Sequence, residues 1–122
     1  MPSLRHFTAV AASLLVAAPA FASDTDHFKG EPSHTLEQAV ANFSQYNKKL
    51  EKVLAGDLTP EAMNEVHQLT YTLENALQKL DGEIDELEET LEKVHKASER
   101  ADTDTVRTAG KQYLTNSRKI VK

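Results

Sequence analysis

From Met63 to Val94 the apolar residues recur at alternating steps of three and four: Met63, Val66, Thr70, Leu73, Leu77, Leu80, Ile84, Leu87, Leu91 and Val94. Thr70 is the one member that is not fully apolar. This alternation is the seam of a coiled coil, and four and a half heptads of it exceed what chance or a short core helix supplies. The chain is therefore an α-helical interaction scaffold. The seam dictates construction and does not name a biochemical role.

Helix boundaries follow from capping chemistry. Thr35 with Gln38 has the capping-box pattern, and Leu36, Ala39, Val40, Phe43, Tyr46, Leu50 and Val53 trace one helical face up to Gly56, which supplies a stop. A first helix is expected over about 35–55. Thr59-Pro60-Glu61 starts the second: Thr caps, Pro suits the first helical position, and the acid faces the positive end of the dipole. It runs to about Ala101, some 60 Å at 1.5 Å per residue. Asp102-Thr103-Asp104 caps a last helix whose inner face carries Val106, Ala109, Tyr113, Ser117 and Ile120, and Gly110 within it suggests close packing or weak helicity.

These pieces predict an all-α chain, an antiparallel helical bundle of three helices with a long central coiled-coil helix. Helix one folds back on the first half of the centre and the last helix on the second half. The alternative is a four-helix up-down bundle broken at Asp81-Gly82, since glycine costs about 1 kcal/mol against alanine inside a helix. Equal segment lengths favour the bundle; an unbroken Leu80-to-Ile84 step and a missing loop favour the rod, which leads. A rod leaves part of its seam short of partners, so a homodimer through the central helix is expected.

Arg5 and His6, the apolar stretch Phe7 to Ala18, Pro19 and the small-residue triplet Ala20-Phe21-Ala22 precede the acidic Ser23-Asp24-Thr25-Asp26. This is the pattern of a signal peptide cleaved after Ala22, too short for a span that needs about 20 apolar residues. The expected organisation is a signal peptide over 1–22, an extended leader over 23–34 and one helical domain over 35–122, exported to the periplasm with no membrane span. The chain has no cysteine, which excludes lipid modification, disulfides, thiolate metal sites, c-type haem attachment and cysteine nucleophiles. The net charge of −5 falls to −6 once Arg5 is removed, and that acidity argues against nucleic acid. Arg107, Lys111, Arg118, Lys119 and Lys122 gather at the C-terminus, where a helix dipole favours positive charge.

With Met63 at heptad position a, the e positions read His67, Glu74, Asp81, Glu88, His95, palindromic about Asp81. Two central helices running antiparallel about that centre would bring His67 of one near His95 of the other, a pair able to bind a divalent metal or titrate near neutral pH. Charged e positions are otherwise an ordinary solvated flank. Glu92-Lys93-Val94-His95 has the Glu-x-x-His spacing of di-metal bundles, but the matching upstream tetrad begins with Asn64. His67, Glu92 and His95 are thus the candidate metal ligands, with His27 and His34 as further leader imidazoles. No cofactor is implied. The sequence has no serine elbow, phosphate loop or glycine-flanked nucleophile, so a non-enzymatic binding or adaptor protein is expected, with a small metal- or cofactor-binding bundle as the alternative. Phe43 and Tyr46 read as core, and Tyr71 either packs under helix one or marks a contact surface.

Glu83-Ile84-Asp85-Glu86-Leu87 and the run Gly110-Lys111-Gln112-Tyr113-Leu114-Thr115-Asn116-Ser117-Arg118-Lys119 resemble the last two helices of the soluble periplasmic four-helix cytochrome b family. That family holds haem between a methionine of its first helix and a histidine of its last. Neither residue is present in the corresponding helices here, so haem binding does not carry over. His27-Phe28-Lys29-Gly30, Ala39-Val40-Ala41-Asn42-Phe43 and Val66-His67-Gln68-Leu69-Thr70-Tyr71-Thr72-Leu73-Glu74 resemble a family of small uncharacterised secreted proteins of marine and halophilic gammaproteobacteria. The resemblance spans nearly all the mature chain and implies no activity.

Overall fold

The computed structural model describes residues 28–122. The expected signal peptide and the first five residues of the leader, Ser23 to His27, lie outside them. Three helices follow: α1 Leu36–Leu54, α2 Pro60–Glu99 and α3 Thr103–Ile120. Their starts are those the capping residues predict. The Thr35 hydroxyl accepts from the Gln38 N–H (3.1 Å), that of Thr59 from Ala62 (3.2 Å), and the Asp102 carboxylate from Thr105 (3.1 Å). Gln38 completes its box one residue early, its Oε1 accepting from the N–H of His34 (2.8 Å) rather than of Thr35.

α1 and α2 end within two residues of the expected positions, though not on a left-handed glycine. Gly56 does not turn left-handed; α1 closes on Ala55, still right-handed. The left-handed residue is Ala101, at φ 54°. Beyond α2, the Asp102 N–H reaches the Ala97 carbonyl (2.9 Å) and the Ala101 N–H the Ser98 carbonyl (3.1 Å), the paired bonds of a Schellman ending.

α2 continues through Asp81-Gly82, so the rod is realised and the four-helix alternative is not. The reason is local: Gly82 costs only about 1 kcal/mol against alanine, and a break there would forfeit backbone hydrogen bonds with no loop to satisfy them. α1 packs on the first half of α2 and α3 on the second, and the two short helices touch each other only where they meet. At that junction Leu36, Ala39 and Leu80 form the core cluster, with Val40, Phe43 and Ile120 against it. Lys119 Nζ closes the junction on Glu37 Oε1 at 2.8 Å. Gly110 is not closely packed, since a Cβ there would meet nothing within 4 Å.

The described part of the leader is a strap. Residues 28–35 cross the groove between α1 and α2 in extended form. Asn75 Nδ2 donates to the carbonyls of Lys29 (2.9 Å) and Glu31 (3.0 Å), and the Glu31 N–H donates to Thr72 Oγ1 (2.9 Å). From the other side Asn42 Nδ2 donates to the Pro32 carbonyl and the Ser33 hydroxyl. Gly30, at φ 71°, gives the strap its close approach to α2.

Candidate functional site

Three residue columns run side by side along α2. The g column is Leu69, Ala76, Glu83, Thr90 and Ala97; the d column is Val66, Leu73, Leu80, Leu87 and Val94; the a column is Met63, Thr70, Leu77, Ile84 and Leu91. The seam expected from sequence is a with d, yet α1 and α3 cover d with g. Leu69, Leu73, Ala76, Leu80 and Ala97 are buried, and Val66, Leu87, Thr90 and Val94 half-buried. Apart from half-buried Thr70 the a column stays open: Met63 is 53% exposed, Leu77 49%, Ile84 45% and Leu91 46%. Small side chains explain the shift. Ala39, Ala76, Ala97 and Ala109 are among the most completely buried residues, so the helices approach over alanines and the bulkier a column is left outside.

On its far side the a column is bordered by positions e and b. From Asn64 to His95 these read Asn64, His67, Tyr71, Glu74, Gln78, Asp81, Asp85, Glu88, Glu92 and His95, with five carboxylates and no lysine or arginine. Among the described residues Glu74, Asp81, Asp85 and Glu88 take part in no ion pair, whereas Glu92 holds Lys96 at 3.0 Å, and the hydrogen bond from that lysine keeps its carboxyl below the ordinary range. The open face of α2 is thus an apolar ridge with an acidic bank. From Leu77 to Leu91 it extends about 21 Å.

Of the candidate metal ligands, His67 stands far from Glu92 and His95. His67 and His95 lie on one unbroken helix, about 42 Å from each other at 1.5 Å per residue, so a single chain cannot bring them to one ion. Glu92 is engaged with Lys96, and His95 Nε2 lies 3.2 Å from Glu99 Oε1 rather than facing Glu92. His67 Nε2 is 3.3 Å from the Tyr71 hydroxyl. Among the described residues no group of three or more His, Asp or Glu is arranged to hold a metal ion. His34 is exposed on the strap.

Tyr71 packs against the strap and its own helix. It carries Phe28 of the strap edge-on, with centroids 6.1 Å apart, and His67 on its other side at 5.1 Å. Phe43 packs at the junction core, whereas Tyr46 faces an open cleft of about 690 Å³ between the end of α1 and the start of α2, where Lys49 Nζ sits 4.1 Å from its ring centroid. Phe28, Lys52, Val53 and Leu69 also line that cleft. Sequence periodicity misses the strap entirely, because an extended segment held through Thr72 and Asn75 leaves no apolar period.

The chain belongs to a family of unknown function (DUF6746), whose model matches residues 1–122. No curated protein and no solved structure matches it.

Proposed function

We propose that this member of the family is an exported, non-enzymatic helical adaptor that holds a protein partner along α2. Export is supported by the Arg5-His6 start, the apolar stretch to Ala18 and the Ala20-Phe21-Ala22 triplet, which direct the mature chain to the periplasm after cleavage at Ala22. No described helix is long and apolar enough to cross a membrane. The observation that carries the adaptor role is the line of half-exposed Leu77, Ile84 and Leu91 on a helix whose d and g columns are already taken by α1 and α3. Ordered apolar residues at heptad spacing with no cover among the described residues are the material of a coiled-coil contact.

The test places a photo-activatable residue at position 84 of the full chain in the producing cell, with position 89 as control. A periplasmic extract should contain one discrete adduct formed from position 84 only and lost in a Leu77→Ser, Leu91→Ser variant. Retention of the chain in the cytoplasm, or an adduct indifferent to the serines, removes the proposal.

A further inference from the structure

Resting on the adaptor role above, we infer that the open face of α2 receives a cationic amphipathic helix of a partner protein. Two properties of the face select that chemistry together. The apolar ridge Leu77, Ile84, Leu91 advances by seven residues per step, the repeat a partner helix matches with its own apolar seam. Along its bank Asp81, Asp85 and Glu88 follow at steps of four and three, without a lysine or arginine of their own helix between them and free of ion pairs among the described residues. A helix laid on the ridge over these turns, about fifteen residues long, sets its flanking side chains opposite those carboxylates. Lysine or arginine there is attracted; glutamate or aspartate is repelled.

The same bank disfavours other occupants. In the antiparallel register centred on Asp81, a second copy would oppose Asp81 to Asp81 and Glu74 to Glu88. Nucleic acid and anionic lipid bring phosphates to a row of carboxylates. The strap docks elsewhere, on Thr72 and Asn75, and leaves the ridge from Leu77 onward clear.

The test uses three synthetic peptides of about eighteen residues: leucines at heptad a and d positions with lysine flanks, the same leucines with glutamate flanks, and a scrambled leucine-lysine peptide of equal charge. Binding to the mature protein is read by fluorescence anisotropy. The lysine-flanked helix should bind, and lose at least about tenfold in affinity both in Ile84→Ser, Leu91→Ser and in Asp81→Asn, Asp85→Asn, Glu88→Gln; the other two peptides should not bind. Circular dichroism confirms that the variants stay folded. Equal binding by the scrambled peptide, or binding untouched by the serines, means charge attraction alone and overturns the inference. Equal binding of lysine- and glutamate-flanked helices also overturns it, while leaving the adaptor role standing. Sedimentation of the protein alone as a dimer broken by Ile84→Ser makes the occupant a second copy and overturns it as well. A position-84 adduct with no affinity for any peptide separates failure of the partner chemistry from failure of the adaptor role.

Discussion

Gly30 lies so close to α2 that a Cβ placed on it would stand 2.7 Å from the Thr72 amide nitrogen and 2.8 Å from its hydroxyl oxygen. Its φ of 71° adds the left-handed conformation that side chains resist. Thr72, fully buried, meets the strap one residue later by accepting the Glu31 N–H. Gly30→Ala should therefore detach the strap and cost about 1–2 kcal/mol, the loss being capped by what strap docking contributes. Urea unfolding measures the cost, and hydrogen exchange at the Glu31 amide should become fast while the amides of α2 stay protected.

The hydroxyl of Thr72 can be separated from its shape. Thr72→Val keeps the volume and strands the Glu31 N–H, for an expected loss of about 1–2 kcal/mol. Thr72→Ser keeps the acceptor and should hold the Glu31 amide protected. Equal exchange at Glu31 in both variants would show that the bond contributes nothing.

Leu80 and Ile84 are one turn apart and should behave oppositely. Leu80 is buried where α1 and α3 meet, so Leu80→Ala should cost about 2–4 kcal/mol and loosen both halves. Ile84→Ala, at a half-exposed site, should change stability by no more than about 1 kcal/mol. Thermal unfolding of the two variants side by side checks the assignment of d as core and a as open face.

Three small residues leave stability unclaimed. A Cβ at Gly82 or Gly110 meets nothing within 4 Å, so Gly82→Ala and Gly110→Ala should each stabilise by about 0.5–1 kcal/mol through helix propensity. Ala101 is the reverse case, a left-handed residue with a side chain, and Ala101→Gly should stabilise by a similar amount, about 0.5–1 kcal/mol. Midpoint shifts in urea would report all three.

The hydrogen bond from Lys119 holds the Glu37 carboxyl below the ordinary glutamate range. The group binds its proton less readily folded than unfolded, so its contribution is fully present above the ordinary glutamate value and disappears as pH falls through the lowered one. Both partners are solvent-accessible, so the effect is small and screened by salt. Glu37→Gln should lower the melting temperature slightly at neutral pH and low salt, and the two proteins should converge in acid.

Helix boundaries were legible in the residues because they depend on groups within four positions of one another: Thr35 with Gln38, Thr59 with Ala62, Asp102 with Thr105. The inner faces of α1 and α3 were legible too, since each short helix has a single apolar stripe. The left-handed end of α2 was not, because Ala101 carries no glycine signal and its conformation is imposed by the return of α3.

The sequence by itself determined the helical stretches and their N-terminal caps and favoured, without deciding, an unbroken centre, for these rest on local hydrogen bonding and on a period visible along one line of residues. Only the tertiary structure decided which two of three adjacent columns on α2 are spent inside the molecule. Hydrophobicity marks a and d equally, whereas close approach over Ala39, Ala76, Ala97 and Ala109 favours d and g, and alanine is too weakly apolar to announce that choice. The strap was likewise a tertiary decision: Lys29 and Glu31 are held by Asn75, more than forty residues away, through bonds no periodicity records.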